Sequence, residues 1–218
     1  MKTLIVGLGF GQLYKKIYES MGAEIITVDT DQSTKPDFVE ITTAIEAHPQ
    51  FDTAHICTPN RTHFALAKKL SGHSKIVFIE KPGVQNVAQW TALTHDKKTK
   101  YVMTKNNQYR DNIGEMANLG HKMSNIELNW KNNNRIPSPG SWFTNKHLAF
   151  GGVSRDLLPH MLSLLIVLSP TDYELYNVID KRVEQRYRLE DCTDTDYGKV
   201  KEDGIYDVDD NVYLKLVG

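Results

Sequence analysis

Residues 2–29 constrain this chain more than any other stretch. Leu4-Ile5-Val6 is a short apolar run ending in glycine, as buried parallel strands do. Gly7-Leu8-Gly9-Phe10-Gly11 follows. Leu13, Ile17 and Met21 then recur at four-residue spacing as one apolar helix face, and Gly22 stops the helix. Glu24 to Val28 reads as a second strand, closed by Asp29. Strand, glycine turn, helix, strand and acid within about thirty residues make one βαβ unit.

Glycines at such a turn have separate duties. The first permits the tight turn, the second lets the backbone approach a pyrophosphate, and the amides that open the helix attract phosphate oxygens. The usual spacing, Gly-x-Gly-x-x-Gly, would put the third glycine at position 12. Gln12 stands there, and the glycine is Gly11. A carboxylate at Asp29 suits the adenosine ribose hydroxyls and repels a 2′-phosphate. The stretch therefore reads as a dinucleotide site favouring NAD, with Lys35 near enough in sequence to leave NADP open. The plain alternatives are a structural glycine turn and a solvated Asp29.

Downstream, short strands alternate with helices. Asp37–Glu40 reads as a short strand and Ile41–His48 as a helix. A strand at Phe51–Cys57 and a helix at Thr62–Leu70, capped by Thr62, follow. Lys75–Ile79, Val87–Thr94 and Tyr101–Thr104 then read as strand, helix and sixth strand. That alternation predicts an α/β fold whose N-terminal domain, residues 1–105, is a Rossmann-type parallel sheet. Residues 106–218 change character and predict a smaller α+β domain with a mostly antiparallel open sheet. Ile126, Leu128 and Trp130 alternate on one face. One apolar helix is expected over Asp156–Leu168, with Pro159 in its first turn. Tyr173–Ile179, Arg182–Leu189 and Asn211–Val217 read as strands. The acid-rich stretch Glu190–Asp210 reads as a solvated hairpin region, and no metal is expected.

Charge and cysteine content narrow the function classes. Lys and Arg number 26 against 27 Asp and Glu, a net charge of −1. No global field favours nucleic acid or an anionic membrane, and neither is expected as a partner. Cys57 and Cys192 alone make no disulfide framework. The N-terminus runs into a strand without a signal-peptide pattern, and the apolar run Met161–Leu168 is too short to span a bilayer. A cytoplasmic location is the expectation.

Three further segments carry a resemblance. Cys57-Thr-Pro-Asn-Arg-Thr-His63, Glu80-Lys-Pro82 and Gly151-Gly-Val-Ser-Arg-Asp156-Leu-Leu-Pro-His160, in that order, resemble the Gfo/Idh/MocA family of oxidoreductases (glucose-fructose oxidoreductase, inositol dehydrogenase and relatives). The resemblance implies NAD(P)-dependent hydride transfer between nicotinamide and a secondary alcohol or ketone of a sugar, polyol or related small molecule. It implies that Thr58, Pro59, Asn60 and His63 line the cofactor near its nicotinamide half, beyond the contacts of Gly7, Gly9, Phe10, Gly11 and Asp29. Glu80 is implied on the cofactor side, Lys81 facing the substrate, and a cis Lys81–Pro82 bond. It also implies a homo-oligomer, a dimer, paired through the open sheet.

The residue chemistry agrees with that reading. Oxidising an alcohol needs a hydride acceptor and a base for the hydroxyl proton. Asp156 and His160, four apart on one expected helix, would share a face. His160 is the candidate general acid/base, Asp156 its helper, and Lys81 a donor to the reacting oxygen. Arg110, Trp142, Asn145 and Lys146 are further substrate-pocket candidates. The structural alternatives are a core histidine at 160, a helix cap at 156 and a surface lysine at 81. Val153 and Leu158 stand where the family commonly has glycine, Arg155 adds a charge beside Asp156, and the second domain is short. A non-catalytic NAD(P)-binding regulatory or partner module is therefore the second reading, and a purely structural interaction protein a third.

Overall fold

Short β-branched runs build the first sheet. β1 (Lys2–Val6), β2 (Glu24–Val28), β3 (Phe51–Ile56), β4 (Ser74–Ile79) and β5 (Lys100–Met103) pair in parallel in the order β2-β1-β3-β4-β5. This computed structural model describes residues 1–119, 125–132, 135–169 and 176–217. The chain divides into two units, Met1–Thr104 and Lys105–Gly218. In the first, helices α1 (Leu8–Ser20), α2 (Ile41–Ala47), α3 (His63–Lys69) and α4 (Val87–Thr94) link the strands. Leu4, Val6, Ile56, Val77 and Ile79 from one sheet face form a continuous core with Ile41, Ala67, Leu70 and Leu93. Each of the valine, leucine and isoleucine side chains contributes about 1.5–3 kcal/mol by leaving water. Strand order reverses between β1 and β3, and ligands of open α/β sheets bind beyond the carboxyl ends at that reversal.

The short strand expected at Asp37–Glu40 does not form. Phe38 makes an isolated parallel bridge with Val28 and nothing longer. The Asp37 carboxylate takes the Thr27 amide and hydroxyl at 2.8 and 2.7 Å, and Pro36 has no N–H to extend a ladder. The apolar face of α1 is also reversed from what an amphipathic helix suggests. Phe10, Leu13, Ile17 and Met21 are exposed, while Leu8, Gly11 and Tyr18 are buried. A Cβ at Gly11 would lie 2.9 Å from Ile5 Cγ2, so glycine lets α1 sit close on β1.

His55 alternates with Ala54 and Ile56 and so leaves the opposite sheet face, under α1. Its ring stacks on Phe78 at 4.6 Å, and its Nε2 lies 2.9 Å from the Tyr18 hydroxyl. Burial depresses its pKa from 6.5 to about 4. The folded state therefore declines a proton that the unfolded chain accepts. The stability contribution is whole above pH 6.5 and is lost as pH falls toward 4, by about 1.4 kcal/mol per pH unit. Urea midpoints should fall across that window, and His55→Gln should flatten the fall. Equal slopes in both proteins would remove His55 as the cause.

In the second unit, α5 (Asp111–Leu119), α6 (Lys146–Ala149), α7 (Val153–Asp156) and α8 (Leu158–Leu168) accompany β6 (Asn177–Glu184) and β7 (Asn211–Val217), an antiparallel pair with a bulge between Val178 and Asp180. Among the described residues, Ile113, Ala149, Leu168 and Val208 are its buried apolar ones. Asn125–Trp130 carries no regular strand. Of the strand read at Tyr173–Ile179, residues 173–175 lie outside the described residues. Arg182 belongs to the continuous β6, and the second strand expected up to Leu189 is replaced by a 3-10 turn at Leu189–Asp191.

Two further expectations change. The helix expected over Asp156–Leu168 is two helices that meet at Leu157, with Pro159 in the first turn of α8. Proline has no N–H to continue the ladder from α7, so a new helix starts. Lys146–Leu168 is long and apolar enough for a membrane span by composition. It is nonetheless broken at Leu157 and at Phe150, where φ is 70°. The acid-rich stretch is not merely solvated. Asp207 accepts the Lys146 amide, Asp209 the Gly152 and Ser154 amides, and Asp210 the Arg186 and Tyr187 amides. These carboxylates satisfy main-chain donors of three separate segments, as side-chain caps do.

Candidate cofactor and active site

The glycine turn opens α1 at the end of β1. Gly7 has φ 91°, and a Cβ there would lie 2.8 Å from the Cys57 carbonyl carbon and oxygen. Only glycine allows that approach. A Cβ at Gly9 would meet nothing within 4 Å, so the turn is open on that side. The N-cap residue is Gly7, which has no side chain to cap the helix, and no acid lies in the first turn of α1. Asp29, at the end of β2, takes the Leu8 amide on Oδ2 at 2.5 Å and the Asp31 amide on Oδ1 at 2.9 Å. It is thus a fixed carboxylate beside the turn. Phe10 is exposed on the first turn of α1.

The next strand ends carry the rest. Thr58 and Pro59 follow β3, and Thr58 Oγ1 lies 2.6 Å from Thr62 Oγ1. Thr62 donates to the Pro59 carbonyl at 2.8 Å and does not cap α3. Asn60 begins a 3-10 turn. His63, read as a cofactor-lining residue, is fully buried. Its Nε2 lies 2.7 Å from the Thr58 carbonyl and its Nδ1 2.8 Å from the Gly83 carbonyl. Only the doubly protonated ring donates to both. Burial pushes the His63 pKa down, against the two carbonyls and Glu80, which raise it. The ring is thus a strut between the loops after β3 and β4.

Glu80 and Lys81 follow β4 directly. The Gly83 amide donates to the Glu80 carbonyl at 2.9 Å, closing a turn with Lys81 and Pro82 at its centre. The Lys81–Pro82 bond is cis. Glu80 Oε1 accepts the Tyr14 hydroxyl at 2.5 Å. Burial, then the Glu80 hydrogen bond and charge, push the Tyr14 hydroxyl up, so it stays a donor. Burial and then the Glu80 charge raise the Cys57 thiol as well, which makes it a poor nucleophile. Tyr14 was invisible in the apolar pattern, yet its spacing from Gly11 and Tyr18 is that of one helix face.

Lys81 lies in the first unit; Asp156 and His160 lie in the second. Asp156 ends α7 and His160 is in α8, so they do not share one helix as their spacing suggested. The His160 amide bonds the Leu157 carbonyl at 3.0 Å. Its ring is buried and stacks on Trp130 at 5.8 Å. Asp156 is not the cap of α8. Among the pocket candidates, Asn145 caps α6 by accepting the His147 amide at 3.0 Å. Arg110 and Lys146 are exposed, and Trp142 packs edge-on to Phe143.

Residues 1–107 match the family model described as oxidoreductase family, NAD-binding Rossmann fold. That model is the NAD-binding domain of the Gfo/Idh/MocA oxidoreductase family, and the match spans the whole first unit. A protein of Amycolatopsis mediterranei (strain S699), named as a UDP-kanosamine synthase oxidoreductase subunit, is 27% identical to the chain over 185 residues. That match covers 77% of this chain and 51% of the relative, so the chain spans about half the relative's length. Two solved structures share the fold. GenD2 from gentamicin A biosynthesis, in complex with NAD, gives a TM-score of 0.73 at 16% identity, over 99% of this chain and 62% of its own. Levoglucosan dehydrogenase, with NADH and levoglucosan, gives 0.69 at 18% identity, over 99% of this chain and 63% of its own.

The Gfo/Idh/MocA unit fits NAD in its own geometry. The open side at Gly9 and the α1 amides beyond Leu8 suit the diphosphate, and the Asp29 carboxylate suits the ribose hydroxyls. The ends of β3 and β4 would hold the nicotinamide half.

Proposed function

We propose that this chain is an NAD-dependent dehydrogenase acting on a secondary alcohol or ketone of a sugar, polyol or related small molecule. The observation that carries the reading is the placement of Lys81. It sits at the centre of a tightly bonded turn at the carboxyl end of β4, in the unit that also holds the glycine turn. Bound NAD supplies the hydride acceptor or donor. The chain's residues handle the proton and the oxygen. Lys81 donates a hydrogen bond to the reacting oxygen and favours its anionic form. In the second unit, His160, with Asp156 assisting, is the candidate for taking the hydroxyl proton in oxidation and returning it in reduction. The substrate class rests on relatives named for levoglucosan and for myo-inositol dehydrogenation. Exposed Val178 and Val183, which pair with Leu216 and Val212 on one face of the β6–β7 ribbon, support a dimer through that face.

Turnover by the purified chain with NAD(H) and a panel of polyols, keto-sugars and nucleotide-sugars tests the reading. Lys81→Met should lower kcat about 10²–10⁴-fold, and sedimentation of the same sample should show a dimer. Tight NADH binding without turnover on any substrate would instead establish the second reading, a non-catalytic partner or regulatory module. A relative named as an oxidoreductase subunit supports that alternative.

A further inference from the structure

The turn that carries Lys81 is anchored at both ends by side chains from other elements. At its first residue, Glu80 Oε1 accepts the Tyr14 hydroxyl. At its last, the Gly83 carbonyl meets His63 Nδ1. His63 is tied in turn to the loop after β3. Tyr14 comes from α1, one turn beyond the glycines. Its ring has little freedom, lying 4.4 Å from His55 and 5.9 Å from Phe10. His55 is itself stacked on Phe78 and bonded to Tyr18. The hydroxyl is therefore presented to Glu80 by a packed aromatic column. A rigid carrier loses little entropy when it makes a hydrogen bond, and a bond to a carboxylate is stronger than one between neutral groups.

We infer that Tyr14 is a positioning residue for the nicotinamide end of the site: by holding Glu80 from α1, it sets the turn on which Lys81 is displayed. The inference rests on the cofactor reading above and adds to it a residue outside every sequence motif quoted. Tyr14 touches neither the cofactor nor the substrate on this account. It also places the helix that receives the diphosphate and the turn that carries Lys81 under one side chain. The two ends of the cofactor site are then held in register by Tyr14.

Binding of two probes separates this role from a merely structural one. NADH carries the nicotinamide half, and ADP-ribose lacks it. Tyr14→Phe removes one oxygen and keeps the ring packing. It should weaken NADH about tenfold, or about 1.4 kcal/mol, and leave ADP-ribose within twofold. Because Tyr14 acts through Glu80, adding Tyr14→Phe to Glu80→Gln should cost no further NADH affinity. Equal loss for both probes, no loss for either, or additive losses in the double variant would overturn the role. Wild-type protein that binds neither probe would overturn the cofactor reading itself, and the role of Tyr14 with it. Should Tyr14→Phe fail to unfold cooperatively in urea, Glu80→Gln carries the same test, since it weakens the same bond from the other side and must show the same split between NADH and ADP-ribose.

Discussion

Gly7→Ala should abolish detectable NADH binding and lower the stability of the first unit by about 3–5 kcal/mol, whereas Gly9→Ala should abolish binding alone. The contrast follows from what each new methyl group meets. At Gly7 the backbone has φ 91°, a region in which non-glycine residues cost about 1–3 kcal/mol. The Cβ would also lie 2.8 Å from the Cys57 carbonyl, which cannot swing aside as a side chain can. Strand β3 would have to move away from β1, and the turn would lose its shape with it. At Gly9 nothing lies within 4 Å. Alanine is the better helix former there by about 0.5–1 kcal/mol, so stability should hold or rise. The methyl group would, however, occupy the open side through which a diphosphate must approach the amides. Urea unfolding and NADH titration of both variants make the comparison. Undiminished NADH binding by Gly9→Ala would show that the turn is not the phosphate seat.

Gly152→Ala should be the most damaging small substitution in the second unit. A Cβ at this position would collide with the Asp209 carbonyl oxygen and lie 2.8 Å from its carbon. Both are backbone atoms, so the two segments must part. Parting them breaks the Gly152 and Ser154 amide bonds to the Asp209 carboxylate, the Ser154 hydroxyl bond to it, and the Val153 amide bond to the Asp209 carbonyl. At about 1 kcal/mol for each such bond, the loss is about 4 kcal/mol. Hydrogen exchange at Gly152, Val153 and Ser154 should rise steeply. Asp209→Asn keeps the close backbone approach and one carboxamide acceptor, so it should cost clearly less. A Gly152→Ala protein with unchanged exchange at those amides would show that the two segments do not meet as described.

Much of the first unit was legible because its signals are local. A run of β-branched residues, a glycine that must turn, and an acid at the next strand end occur in fixed order between Lys2 and Asp29. Val87–Thr94 and Asn211–Val217 were readable for the same reason: each is a continuous pattern bounded by polar residues. The failures share a different cause. Leu13, Ile17 and Met21 define a face, but spacing alone does not say which way a face points. The buried side of α1 is marked by Gly11 and by tyrosines whose hydroxyls find Glu80 and His55, and those partners lie far away in sequence. His63 looked like a ligand because it belongs to a motif, yet both its nitrogens serve main-chain carbonyls. Asp156 and His160 looked like one helix face until Pro159 divided them. Asp207, Asp209 and Asp210 looked solvated because the amides they satisfy are 23 to 61 residues away.

During synthesis the two halves of this chain come of age at different times. Every strand of the first sheet has been made once Met103 is added, and the partners that shape the glycine turn, Cys57 and Asp29, precede it. The turn at Gly151-Gly152 must wait for Asp209, 57 residues further along. Until then α7 has no carboxylate at its start, and the Lys146 amide no Asp207. A nascent chain can therefore hold a finished nucleotide cradle while the helices bearing Asp156 and His160 are still unshaped.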